Sequence, residues 1–164
     1  MKVLILPGYS IHNKEWAYDI AKDLNSLGDV VVHEWIYWKS GNFSVKAEVE
    51  KIKEKVADEE VHIIAKSVGT MICAKLERII KMRKIILCGI PSVSDKRFEI
   101  MSKSFVNISP ENILVIQNKE DPFATYKEVK EFFAKINPEI LVMEKSRSDH
   151  NYPYPEDFIE YLKD

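Results

Sequence analysis

With 164 residues, 46% of them hydrophobic and 30% charged, the chain is long enough for one domain with a real core and too short for two comfortable ones. A formal net charge of −2, with lysines and arginines scattered among acids, argues against nucleic acid or an anionic membrane as a partner. Cys73 and Cys88 lie in apolar runs and read as reduced core residues rather than a disulfide, which fits a cytoplasmic location.

In chain order, the first apolar run, Lys2–Leu6, is too short for a signal peptide or a membrane span and reads as a strand. It ends in Pro7-Gly8-Tyr9-Ser10. Trp16, Ile20, Leu24 and Leu27 form a helical stripe, and Val30–Trp35 reads as the second strand. Val45, Val49, Ile52 and Val56 make the next stripe. The third strand, Val61–Ala65, runs into Lys66-Ser67-Val68-Gly69, and a helical stripe of Val68, Ile72, Leu76 and Ile79 begins at once. Lys84–Leu87 reads as the fourth strand. Gly89–Pro110 is the least patterned segment and is expected to form a rudimentary cap at most. Ile113–Gln117 is the fifth strand, followed by Asn118-Lys119-Glu120-Asp121-Pro122. Thr125 and Glu128 have the spacing of a capping box ahead of Val129, Phe132, Phe133 and Ile136. Glu139–Met143 is the sixth strand and leads to Ser146-Arg147-Ser148-Asp149-His150. Pro155 suits the first position of a last helix carrying Phe158, Tyr161 and Leu162 on one face.

Most of the strand runs are continuously apolar, as strands covered on both faces of a parallel sheet are. The alternation of strand and helix predicts an α/β protein: a three-layer α/β/α arrangement with an open, mostly parallel sheet of about six strands, in one domain spanning 1–164. Ligands bind such sheets at the carboxyl ends of the strands. Those ends carry a serine, an acid and a histidine in that order: Ser67, then Glu120 or Asp121, then His150.

The roles follow from chemistry. A serine hydroxyl needs a base within hydrogen-bond reach to become a nucleophile, and a histidine suits that task near neutral pH. The histidine needs a carboxylate to fix its tautomer and stabilise the imidazolium. The oxyanion of a tetrahedral intermediate needs preorganised donors. The backbone N–H of Val68, at a helix start, and that of Tyr9, in the turn after the first strand, are the candidates. The plain alternative for Ser67 is a helix N-cap. For Asp121 it is an Asp-Pro turn.

These residues resemble the α/β-hydrolase fold superfamily. Leu6-Pro7-Gly8-Tyr9 matches its oxyanion loop, Ala65-Lys66-Ser67-Val68-Gly69 its nucleophile elbow, Asp121 before Pro122-Phe123 its acid loop, and His150 its histidine loop. Short length and little or no lid are most similar to the small hydrolases that resemble retinoblastoma-binding protein 9. The resemblance favours Asp121 over Glu120 as the acid. It departs in two places. Ala65 stands at the first elbow position, where glycine is usual. Asn118 stands where a glycine often precedes the acid, and asparagine too can adopt positive φ.

Other residues have two readings. His33 and His62, inside strand runs, read as structural. His12, in the loop near Gly8, is a candidate pocket residue. So are Trp38 and Phe123, which belong to an aromatic group with Tyr9, Trp35 and Tyr37 at the same edge. Lys66 is either a solvated charge pointing away or a cation that favours anionic substrates. Asp149 is a solvated loop acid or a brace for its loop. No HExxH, paired CxxC, GxGxxG or GxxxxGK pattern occurs, so no metal and no cofactor are expected. The expected function is a serine hydrolase, a carboxylesterase cleaving small esters or thioesters as a monomer or homodimer. The competing expectation is a module with this fold that works by binding a partner protein.

Overall fold

The computed structural model describes residues 1–163. Six strands form one sheet: β1 (Lys2–Leu6), β2 (Asp29–Val32), β3 (Glu60–Lys66), β4 (Lys81–Cys88), β5 (Ile113–Asn118) and β6 (Leu141–Lys145). Their order is β2-β1-β3-β4-β5-β6, and every neighbouring pair is parallel. The helices are α1 (Asn13–Asp23), α2 (Tyr37–Ser40), α3 (Val45–Val56), α4 (Val68–Leu76), α5 (Asp95–Phe105), α6 (Tyr126–Ile136) and α7 (Pro155–Lys163). The chain leaves β1 toward one edge, returns to β3 on its other side and then proceeds outward. The switch point therefore lies between β1 and β3, where such sheets hold their ligands.

Alternate residues of each strand face opposite layers, which is why the strand sequences are apolar throughout. Val3, Ile5, Ile64, Ile86, Leu114 and Ile116 pack under Trp16, Ile20, Phe158 and Leu162 of α1 and α7. Leu4, Leu6, Ile63, Leu87 and Val115 pack under Ile52, Ile72, Leu76, Met101, Phe105 and Phe133 on the other face. Cys73 and Cys88 are buried free thiols, and burial pushes the Cys88 thiol up to about 12. Among the described residues no helix is long and apolar enough to cross a membrane.

The structure corrects the sequence expectations at several boundaries. The segment 89–110 forms no lid, in keeping with the expectation of little or none, but it is not unpatterned: it contains α5, capped by Ser94, whose hydroxyl accepts the Arg97 N–H at 3.4 Å. Met101 and Phe105 of α5 are buried, and Ser104 Oγ donates to the Ala74 carbonyl of α4 at 2.7 Å. The segment thus belongs to the helical layer rather than standing over the strand ends. Strand β2 stops at Val32 instead of Trp35, although His33 N–H still donates to the Ile5 carbonyl at 2.9 Å before the chain turns into α2. Strand β6 starts two residues later than expected because Asn137 folds 137–140 into a turn. Its side chain takes the Glu139 N–H and its carbonyl the Ile140 N–H. Helix α4 ends at Leu76, leaving Ile79 exposed beyond it.

Candidate active site

At the switch point, Ser67 joins β3 to α4 with φ 55° and ψ −115°. It is one of two non-glycine residues with positive φ among those described. Such a conformation is held only where the surroundings enforce it. Here the Ser67 N–H donates to the Cys88 carbonyl at 3.0 Å, and the Ser67 carbonyl accepts Thr70 Oγ1 at 2.6 Å. The N-cap alternative does not hold, because the Ser67 side chain makes no cap hydrogen bond. Its half-buried hydroxyl is left for other chemistry.

The first turn of α4 crowds the end of β1. A Cβ on Gly69 would lie 2.4 Å from the Leu6 carbonyl oxygen and 2.9 Å from that of Pro7. Only glycine permits this approach, and it carries the Val68 N–H alongside the loop after β1. Two tryptophans orient that loop. Trp35 Nε1 donates to the Gly8 carbonyl at 3.1 Å, and Trp38 Nε1 to the Tyr9 carbonyl at 2.9 Å. The exposed Tyr9 ring stacks on Tyr37 with centroids 4.5 Å apart. Both carbonyls of the turn are thus occupied, while the N–H groups of Tyr9 and Val68 donate to no acceptor among the described residues.

Asn13 ties this loop to the elbow. Its Nδ2 donates to the Ser10 carbonyl at 3.1 Å and its Oδ1 accepts Lys66 Nζ at 2.7 Å. Lys66 is only 5% exposed, and its ammonium lies over the Trp16 ring at 4.9 Å from the centroid. Burial lowers its pKa from the usual lysine value. Lys66 is therefore neither a solvated charge nor a free cation; it is an internal tie between β3 and the loop after β1.

The acid and the histidine meet from the ends of β5 and β6. Asp121 Oδ2 lies 2.6 Å from His150 Nδ1, and it accepts the buried Tyr152 hydroxyl at the same distance. Asp121 Oδ1 accepts the Phe123 N–H at 2.9 Å. Burial pushes the Asp121 pKa up, but the hydrogen bonds from His150, Tyr152 and Phe123 outweigh it, and the carboxyl sits below its ordinary value. Phe123, 63% exposed, flanks the imidazole with centroids 4.6 Å apart. Trp16 Nε1 donates to the Tyr152 carbonyl at 3.0 Å and braces the segment that carries the histidine.

His150 lies against Gly89, which has φ +63°; a Cβ there would stand 3.0 Å from His150 Cε1 and 2.6 Å from Tyr152 Cε2. Gly89 directly follows Cys88, whose carbonyl holds the Ser67 N–H, so imidazole and elbow share the same stretch of β4. His150 Nε2 is buried and has no hydrogen-bond partner; it does not bond Ser67 Oγ in this structure. A buried ring nitrogen without a partner calls for an explanation, and catalytic hydrogen bonds are often long before substrate binds.

Two further amides brace these loops. Gln117 Oε1 accepts the Ile90 N–H at 2.9 Å, and its Nε2 donates to the Ala124 carbonyl at 2.6 Å, linking the segment after Gly89 to the acid loop. Asn118 stays within β5 and does not use positive φ. Its Nδ2 instead donates to the Asp149 and Asn151 carbonyls at 2.7 and 2.8 Å. Asp149 pairs with Arg147 and accepts the Asn151 N–H, so it braces the histidine loop. Sequence reasoning missed Tyr152, Asn13 and Gln117. Tyr152 had one signal, a hydroxyl-bearing aromatic two residues after the histidine.

The remaining candidates are spread more widely. Trp38 joins the aromatic group beside Tyr9. His12 is exposed and lines a separate cleft of about 330 Å³ with Trp16, Asn151 and Pro153, on the outer side of the histidine loop. His33 is fully buried, with Nε2 2.8 Å from Glu48 Oε2; burial first, only partly offset by Glu48, lowers its pKa to about 4. His62 is also buried, with its pKa lowered by burial. His62 lies within β3, and His33, directly after β2, is turned into the core against Glu48 of α3.

This arrangement defines an α/β-hydrolase fold without a lid. The chain superposes on the ydeN gene product of Bacillus subtilis with a TM-score of 0.71 at 14% identity, covering 99% of both chains. A serine hydrolase homologue from Coxiella burnetii gives 0.71 at 20% identity, covering 99% of this chain and 85% of the other. XC6422 from Xanthomonas campestris, a serine hydrolase without lid, gives 0.68 at 16% identity, covering 99% and 78%. At these identities the likeness establishes the fold. No family model and no curated protein matches the chain.

Proposed function

We propose that the protein is a serine hydrolase of the carboxylesterase type, acting on small ester or thioester substrates. The observation that carries this reading is the Asp121–His150 pair, bonded at 2.6 Å, with His150 Nε2 buried and unpartnered and Ser67 held at positive φ after β3. His150 Nε2 takes the Ser67 hydroxyl proton as Ser67 Oγ attacks the acyl carbon. The N–H groups of Tyr9 and Val68 receive the oxyanion. The imidazolium, stabilised by Asp121, returns the proton to the leaving alcohol or thiol as the tetrahedral intermediate breaks down. A water deprotonated by His150 then attacks the acyl-Ser67 carbonyl. Breakdown returns the proton to Ser67 Oγ and frees the acid. The site has no cap, so small substrates suit it.

The test is labelling of the purified protein with a fluorophosphonate probe, mapped by mass spectrometry, beside hydrolysis of short p-nitrophenyl esters. The reading requires label on Ser67 and loss of hydrolysis in Ser67→Ala. Label on another residue, or unchanged hydrolysis in Ser67→Ala, overturns it. A folded protein that takes no label would favour a partner-binding role for the same fold.

A further inference from the structure

Arg97 presents a cation beside the elbow that has no anionic partner. It lies half-buried in the first turn of α5. Its Nη1 donates to Thr70 Oγ1 at 3.2 Å and its Nε to Ser92 Oγ at 3.3 Å. Both partners are neutral hydroxyls. Among the described residues no carboxylate forms an ion pair with Arg97, although most other pairs on this chain are made at the surface. Thr70 is the residue whose Oγ1 donates to the Ser67 carbonyl, so the guanidinium is two hydrogen bonds from the elbow backbone. Ser92 lies three residues after Gly89, the glycine against His150.

Two effects disfavour a cation at this position. Taking a guanidinium partly out of water without a counter-charge is costly. Burial accordingly lowers the Arg97 pKa, with no carboxylate opposing it. The N-terminal turn of a helix also repels positive charge and attracts negative charge. A guanidinium has five N–H donors, and only two are engaged here. Lys66, the buried cation at the elbow, differs: its ammonium is held by Asn13 and covered by the Trp16 ring.

We propose that Arg97 binds an anionic group, a carboxylate, carried by the substrate, so that the site selects charged esters or thioesters over neutral ones. The uncommitted N–H groups match a carboxylate in bidentate geometry. This assignment rests on the hydrolase reading for its catalytic consequence, but not for binding.

The experiment uses two matched pairs. One places the charge on the acyl side: p-nitrophenyl hemiglutarate against p-nitrophenyl valerate. The other places it on the leaving group: 3-acetoxybenzoate against 3-acetoxybenzamide. In at least one pair kcat/KM should favour the charged member by about tenfold or more, the factor one charge-assisted hydrogen bond supplies. In Arg97→Gln that ratio should collapse toward one, and Arg97→Lys should retain part of it. The absence of preference in both pairs, or an equal fall for charged and neutral members in Arg97→Gln, overturns the proposal. A second readout removes the chemistry: an NMR titration of the Ser67→Ala protein with glutarate, repeated in Ser67→Ala/Arg97→Gln. Binding only when Arg97 is present supports the assignment even if no ester is turned over, and that outcome would count against the hydrolase reading alone. Turnover without preference and without glutarate binding would count against Arg97 alone.

Discussion

The Tyr152 hydroxyl and His150 Nδ1 converge on a single oxygen, Asp121 Oδ2, each at 2.6 Å. The carboxylate is therefore oriented by a buried phenol as well as by the imidazole it serves. The same hydroxyl accepts the Asn118 N–H at 3.2 Å, which joins the end of β5 to the histidine loop.

Tyr152→Phe keeps the ring and deletes this junction. Asp121 loses one donor and the Asn118 N–H loses its acceptor, which should lower stability by about 1–3 kcal/mol. Ester hydrolysis should show kcat reduced by about tenfold with KM nearly unchanged, because the histidine is less firmly held while substrate contacts remain. A variant with wild-type kcat would show that Tyr152 does not position the pair.

Asp121→Asn should leave the fold intact and lower kcat by about 10³–10⁴, since an amide favours the wrong tautomer of the histidine. The check is single-turnover hydrolysis beside a circular dichroism spectrum. Glu120→Gln, one residue earlier and exposed, should differ little from wild type. If Glu120→Gln instead carried the large loss, the acid would be misassigned.

Gly69→Ala places a methyl 2.4 Å from the Leu6 carbonyl. Both the helix start and the strand end are backbone, so one must move. Stability should fall by about 1–3 kcal/mol. The rate of fluorophosphonate labelling should fall with it, because α4 can no longer lie against the loop bearing the Tyr9 N–H. Urea unfolding and labelling kinetics on the same preparation measure both effects.

Burial of His33 makes stability depend on pH, although its contact with Glu48 works the other way. Burial holds the folded-state pKa of His33 at about 4, below the 6.5 of a free imidazole. As pH falls, the unfolded chain gains this proton before the folded one. The contribution of His33 is fully present above pH 6.5 and is lost progressively toward pH 4, by on the order of 3 kcal/mol. Urea midpoints between pH 7 and 4.5 should fall more steeply for wild type than for His33→Gln. Parallel slopes would contradict this origin.

The strand ends could be read in advance because a buried parallel strand leaves a continuous apolar run and the residue after it is polar or glycine. Ser67, Asp121 and His150 all stand directly after such runs or a few residues on. What escaped the sequence was long-range. Tyr152 pairs with a residue 31 positions away, and Lys66 with one 53 positions away. No local pattern encodes either contact. Helix α5 escaped for another reason: Phe98, Met101 and Phe105 do have helical spacing and Ser94 an N-cap position, but polar residues between them dilute the stripe. Its charged face includes Arg97, which looks like any surface arginine until the neighbouring hydroxyls are seen. The expected β2 ran on to Trp35 because that residue is apolar and buried, yet its indole serves the Gly8 carbonyl rather than the sheet.

The chain has three tryptophans, and each indole donates to a backbone carbonyl of a loop that frames the site: Gly8, Tyr9 and Tyr152. Its ultraviolet emission is therefore a built-in optical signal. Entry of a ligand that shifts either loop should change the intensity or wavelength of that emission, and stopped-flow mixing of unlabelled protein would record it in real time, along with any acylation the proposed reaction produces.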